Sequence, residues 1–264
     1  MARKSAIMLA VACSTLLTTA ATIDKRLAGG EAAQIGDIPS MVSIQNERGY
    51  HECGGTLLDS TTVLTAAHCL GSSHAVRAGT LVKHLPFYSP LPGNAHEGGV
   101  IANISSRKPH PNYKKQISIY DTPENDIAIV KLLTPIEKSD IIDYALLPAD
   151  GSNPVADSAA IAAGCYHQLI KVELPVRGRE FCEKIAPKIF HGKDTYLCVG
   201  GDGKGACHRD SGGPLFDKET KQFIGLTSFG MGRFPCGPTN PSVYTRISGY
   251  ISFIKENMGG SSSV

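Results

Sequence analysis

Over most of the chain, apolar residues come in short runs separated by glycine, proline and small polar residues. The runs TTVLT at 61–65, DIAIVKL at 126–132, QFIGLTSF at 222–229 and SVYTRI at 242–247 are rich in β-branched and aromatic side chains, which suit a pleated, half-buried surface. Their spacing predicts an all-β protein from Leu27 onward. Near the end the period changes: within residues 248–258, Tyr250, Ile251, Phe253 and Ile254 recur at helical spacing before Gly259-Gly260. This predicts a short C-terminal helix stopped by glycine, followed by a disordered tail over 259–264.

The start of the chain has a third pattern. Arg3 and Lys4 precede an apolar run from Ala6 to Leu17, and small residues follow through Ala21. That is the layout of a secretory signal peptide, and the run is too short to span a bilayer. We expect residues 1–21 to be the signal, 22–26 a propeptide ending in Lys25-Arg26, and 27–258 the folded part, in halves at about 27–137 and 138–258. The product is expected to be secreted and extracellular, a monomer, with no membrane association.

Composition narrows this picture only slightly. The formal charge of +2 over 264 residues points to no nucleic-acid partner and no strongly acidic substrate. Export places the cysteines in an oxidising compartment. Of the eight, Cys13 falls in the leader, leaving Cys53, Cys69, Cys165, Cys182, Cys198, Cys207 and Cys236, so six can pair and one is left over. Asn103-Ile104-Ser105 is a sequon and marks Asn103 as a glycosylation acceptor. No Cys/His group has zinc spacing, and no metal or cofactor is expected.

Candidate chemistry sits at three separated places. Ser211 lies in DSGGP, where Gly212 and Gly213 remove side chains near its hydroxyl and would let a substrate backbone approach. His68 lies in TAAHC beside Cys69, where a disulfide could hold the imidazole. Asp126 opens an apolar strand, so its carboxylate should be partly buried and in need of a partner. Acyl transfer on a serine needs a base, a carboxylate that holds the base in one tautomer, and donors for the oxyanion.

Together these motifs resemble the chymotrypsin-like (trypsin-like) serine peptidases. TAAHC, NDIAIVKL and DSGGPL follow the family's order of His, Asp and Ser, and HECGGTLL at 51–58, HPNY at 110–113 and VYTRI at 243–247 are also similar to that family. The resemblance implies two six-stranded antiparallel β-barrels with a cleft between them, and a catalytic triad of His68, Asp126 and Ser211. It also implies disulfides Cys53–Cys69, Cys182–Cys198 and Cys207–Cys236. KRLAGGEAAQIGDIP resembles a zymogen junction, cleaved after Arg26 so that the new terminus, Leu27, pairs with Asp210. Protein or peptide substrates would be implied as partners, with a protease inhibitor or a host secreted enzyme as others.

The chain departs from the family where the oxyanion is bound. Arg209 stands where the family has a glycine whose N–H, with that of Ser211, forms the oxyanion hole. Two outcomes follow: a damaged hole, or an intact one with a long cation across the leaving-group side of the cleft. Cys165 replaces a tryptophan, and the segment after it, CYHQLIKVELP, is shorter than usual. The pocket positions implied by the resemblance are Gly205, Ala206, His208, Ser228, Gly230 and Ser242. Gly205 stands where trypsins carry an aspartate, so a preference for a small or medium uncharged side chain is expected. Lys204, beside the pocket base, is expected to be solvated. The alternative is a catalytically impaired binding protein, similar to the protease-like glucanase inhibitor proteins of oomycetes.

Overall fold

A computed structural model of the protein describes residues 27–81, 99–117, 121–165, 168–206, 209–231 and 241–258. The signal and propeptide with Arg26, the tail, His208 and the Cys207–Cys236 pair lie outside the described residues. Each apolar run named above forms a strand, β4 (Thr62–Thr65), β7 (Ala128–Leu132), β12 (Phe223–Gly230) and β13 (Ser242–Arg246), because its branched side chains find a buried face on the pleat.

The first half is a closed antiparallel barrel of six strands, ordered β2-β3-β4-β7-β6-β5. Its other members are β2 (Met41–Gln45), β3 (His51–Asp59), β5 (Ala75–Ala78) and β6 (Val100–Pro109). Val42, Ile44, Leu57, Val63, Leu64, Val76, Ile127 and Ile129 fill it and are essentially inaccessible to solvent. Each such side chain contributes about 1.5–3 kcal/mol by burial.

The second half is a seven-stranded sheet, ordered β1-β9-β8-β11-β12-β13-β10, with β1 (Glu31–Ala32), β8 (Ala159–Cys165), β9 (Leu169–Pro175), β10 (Tyr196–Val199) and β11 (Pro214–Asp217) completing it. The residue after β9 meets the end of β10 at a bridge between Val176 and Val199, where Arg177 N donates to Cys198 O at 2.8 Å. Six of its strands thus curl into a second barrel, and β1 is added on the outside of β9. Helices α1 (Arg179–Ile185) and α2 (Pro187–Phe190) precede β10, and α1 is tied to it by Cys182–Cys198.

Two segments cross the expected division. Leu27 is 2 % exposed and packs with Ala160, Val172, Leu174 and Tyr244 of the second half. The C-terminal stretch does the reverse. It forms a 3-10 turn over Ile247–Tyr250 and then α3 (Ile251–Asn257), whose Ile251, Phe253 and Ile254 join the core of the first barrel. No helix among the described residues is long and apolar enough to cross a membrane.

Candidate active site

His68 sits in a 3-10 turn, Ala67–Leu70, directly after β4. The Cys53–Cys69 disulfide binds that turn to β3, so the ring is held from the adjacent residue. Cys53 and Cys69 offer no thiolate beside His68, because their sulfurs are bonded to each other. Asp126 lies two residues ahead of β7 and is fully buried.

Both oxygens of the Asp126 carboxylate accept hydrogen bonds. Oδ2 receives the His68 Nδ1 proton at 2.7 Å and the Ser228 hydroxyl at 2.5 Å, and Oδ1 receives the His68 backbone N–H at 3.0 Å. Thr245 Oγ1 donates to the backbone carbonyl of Asp126 at 3.0 Å. A carboxylate can only accept, so Nδ1 carries the proton, and Nε2 of neutral His68 presents a lone pair. The His68 side chain is 30 % exposed while that of Asp126 is 0 % exposed; the imidazole reaches solvent and the carboxylate does not. Burial, with the Asp126 charge as a second cause, pushes the Tyr113 hydroxyl up to about 12, and burial above all takes Tyr250 to about 12. Both tyrosines stay neutral, and neither adds a competing charge near Asp126.

Ser211 approaches this arrangement from the second half. Its carbonyl accepts from Gly54 N on β3 at 2.8 Å, and among the described residues its own N–H and hydroxyl make no hydrogen bond. Glycine against glycine makes this seam. A Cβ on Gly54 would lie 2.7 Å from Gly213 Cα, and one on Gly212 would lie 2.3 Å from Thr65 Oγ1 and 2.6 Å from Gly54 O. The space left by Gly212 and Gly213 is therefore filled by β3, β4 and β8 of the protein itself. The expectation that it admits a substrate backbone is corrected: these glycines let the two halves touch.

Arg209 is exposed and has φ +72°, the left-handed region that costs a non-glycine residue roughly 1–3 kcal/mol. Its carbonyl accepts from His51 Nε2 at 3.0 Å, and His51 Nδ1 meets Ser43 Oγ at 2.8 Å. A backbone carbonyl needs the Nε2 proton, so the serine hydroxyl donates to Nδ1. In the sequence His51 is only the first residue of HECGGTLL; its hold on the peptide after Arg209 is legible only in three dimensions.

Around the pocket positions, Ser242 Oγ accepts from Ala206 N at 3.1 Å, and a Cβ on Gly205 would come within 3.3 Å of that same oxygen. Apart from Gly230 and its two chain neighbours, no heavy atom of the described residues lies within 4 Å of where a Cβ on Gly230 would stand. Ser228, expected at the pocket, spends its hydroxyl on Asp126. Lys204 is exposed, with its stem lying across Gly29, away from a pocket-facing role. Ala28 and Gly205 form a two-way backbone bridge, so the Leu27 segment is docked on the loop that carries Gly205 and Ala206. Asp210 is 2 % exposed, and a Cβ on Gly164 would fall 2.0 Å from its Oδ1. Asn103 is exposed on β6.

The chain matches the trypsin family model over residues 27–254. It is 32 % identical to mouse (Mus musculus) chymotrypsin-C, over 89 % of this chain and 90 % of that one. It is 32 % identical to the fibrinolytic enzyme isozyme C of Lumbricus rubellus, over 87 % and 98 %, and 31 % identical to trypsin beta of Drosophila erecta, over 89 % of each. The fold reading of two packed β-barrels with a short C-terminal helix is borne out, and the chain belongs to the trypsin family of serine endopeptidases, which act on proteins or peptides.

Proposed function

We propose that the protein is a secreted serine endopeptidase, released by cleavage after Arg26, that works through Ser211, His68 and Asp126. The observation that carries this reading is the fully buried Asp126 carboxylate fixed to His68 Nδ1 at 2.7 Å. Asp126 keeps the lone pair of His68 on Nε2, facing Ser211. His68 Nε2 takes the Ser211 hydroxyl proton as Oγ bonds to the scissile carbonyl carbon, and the carbonyl π electrons move onto oxygen. The amides of Arg209 and Ser211 receive that oxyanion. Collapse breaks the C–N bond, with His68 returning the proton to the leaving amine. Water then repeats the sequence on the acyl-enzyme and frees Ser211.

Arg209 fits the intact-hole outcome. It holds the left-handed backbone that a glycine would take, and the His51 bond to its carbonyl opposes a flip of the peptide. The guanidinium then lies on the leaving-group side and disfavours bulky or cationic groups and protein inhibitors there. With Gly205 at its base and Ser242 narrowing one wall, the primary pocket takes a small or medium uncharged side chain. Leu27, freed as an ammonium, pairs with Asp210 and orders the loop carrying Arg209. Asn103, exposed on β6, carries a glycan in the secreted protein.

The positive φ at Arg209 is also the one observation that favours the alternative of an impaired binding protein. The test is fluorophosphonate labelling of the mature chain from Leu27, with Ser211→Ala and Arg209→Gly in parallel and the labelled peptide mapped. We expect the parent and Arg209→Gly to label at Ser211 and Ser211→Ala to stay blank. Labelling of Arg209→Gly alone would make the native chain a disabled peptidase.

A further inference from the structure

The three residues leading to the buried carboxylate are each tied down, and from both halves of the molecule. Pro123 O accepts from Tyr196 Oη on β10. The Glu124 carboxylate receives Lys114 Nζ at 2.8 Å through Oε2 and Lys193 Nζ through Oε1. Glu124 also exchanges backbone hydrogen bonds with Lys114, at 2.9 and 3.1 Å. Asn125 stands at φ +51°; its Nδ2 donates to Asn112 O at 2.9 Å, and its Oδ1 accepts from Tyr250 Oη at 3.0 Å. Asp126 follows.

Lys114 belongs to the connection between β6 and β7 of the first barrel, whereas Lys193 follows α2 in the second half, with its N–H on Phe190 O at 3.0 Å. Only Glu124 holds an ion pair to each half along this stretch of described residues. Its side chain is 29 % exposed, open enough to be replaced without opening the core. The strap has no slack, because Asn125 is already in a strained backbone region and Ile127 N closes back on Asn125 O at 2.8 Å. A movement at Glu124 is therefore delivered to Asp126 two residues later.

We propose that Glu124 is a positioning residue: by holding Lys114 and Lys193 together it clasps the two halves around residues 123–126 and fixes the Asp126 carboxylate against His68. The clasp makes the turn after α2 in the second half a direct determinant of the geometry of a pair that lies in the first. The inference rests on the peptidase reading for its kinetic consequence alone.

The experiment uses the mature chain with isotope-labelled histidine and reads the His68 ring nitrogen and Nδ1 proton resonances by NMR. Glu124→Gln, Lys193→Met, the double variant and Lys193→Arg are compared, with kcat and KM on a peptide substrate and Tm alongside. We expect Glu124→Gln and Lys193→Met to shift or exchange-broaden the Nδ1 proton, with the double variant no worse than Glu124→Gln and Lys193→Arg like the parent. We expect kcat to fall about three- to tenfold with KM changed less than about twofold, as for a coupled pair acting through a third group. Unchanged His68 resonances in Glu124→Gln and Lys193→Met would overturn the proposal, even if Tm fell. If the parent fails to label at Ser211, the peptidase reading falls, and the His68 resonances still decide whether the clasp exists.

Discussion

The two sides of the candidate site are built on opposite principles. On the His68 side both carboxylate oxygens and the backbone carbonyl of Asp126 have partners, the carboxylate is out of solvent, and a disulfide closes the turn that carries His68. On the Ser211 side the backbone carbonyl is seated on Gly54, while the hydroxyl and N–H make no hydrogen bond among the described residues and the preceding loop holds an exposed arginine at positive φ. The first side is set by satisfied charge and the second by close backbone contact. Satisfying a buried carboxylate fixes an orientation that a catalytic base needs in every turnover. A nucleophile and its oxyanion donors must stay open to substrate, so their precision has to come from packing behind them.

The comparison breaks most severely at its charged end. Asp126→Asn keeps the shape but puts an amide where His68 Nδ1–H needs an acceptor, and we expect kcat to fall about 10⁴-fold with KM little changed. Steady-state kinetics on a peptide substrate check this; a loss under tenfold would remove Asp126 from the orienting role. On the packing side, Gly54→Ala places a methyl 2.7 Å from Gly213 Cα, a contact with backbone that no rotamer can relieve. We expect a destabilisation of about 1–3 kcal/mol, a Tm lower by several degrees, and slower labelling of Ser211.

Arg209→Gly sharpens the contrast in the other direction. Removing the strain at φ +72° should stabilise the fold by about 1 kcal/mol or more, raising Tm by about 2–4 °C per kcal/mol for a chain of this size. Labelling by a small fluorophosphonate should be unchanged, while a protein inhibitor should bind more tightly; calorimetry and an inhibition assay measure the two. A fall in Tm would mean that the arginine side chain contributes more than its backbone costs.

The smallest effect is electrostatic. Hydrogen bonds from Lys114 and Lys193 hold the Glu124 carboxyl at about 2, against its ordinary 4.5. The unfolded chain binds this proton first as pH falls, so the stabilisation is complete above about 4.5 and is lost as pH drops through about 2. Acid denaturation followed by circular dichroism should show a shallower loss across that window in Glu124→Gln than in the parent.

Much of the fold was legible because the signal is local. Short β-branched runs become strands wherever they find a buried face, and β4, β7, β12 and β13 begin and end within two residues of the runs that predict them. The terminal helix was legible from its period, although its first turn is 3-10 and not α. Two of the implied disulfides, Cys53–Cys69 and Cys182–Cys198, are present. The partners of side chains were far less legible. The resemblance puts Ser228 at the pocket, yet its hydroxyl serves Asp126, 102 residues away. Glu124 reads as a solvated loop acid until Lys193 is brought to it from 69 residues further on.

By itself the sequence determined which chemical groups the chain carries and in what order: a histidine after β4, an aspartate before β7, a serine in a glycine turn, and strands between them. These follow from side-chain type and short-range periodicity, which need no knowledge of the rest of the molecule. Only the tertiary structure decided that Gly212 makes room for Thr65, that His51 holds the carbonyl of Arg209, and that Leu27 packs in the second half while α3 packs in the first. Each of those is a contact between segments far apart in the chain, fixed by how two barrels fit together and by which buried polar groups must find partners there.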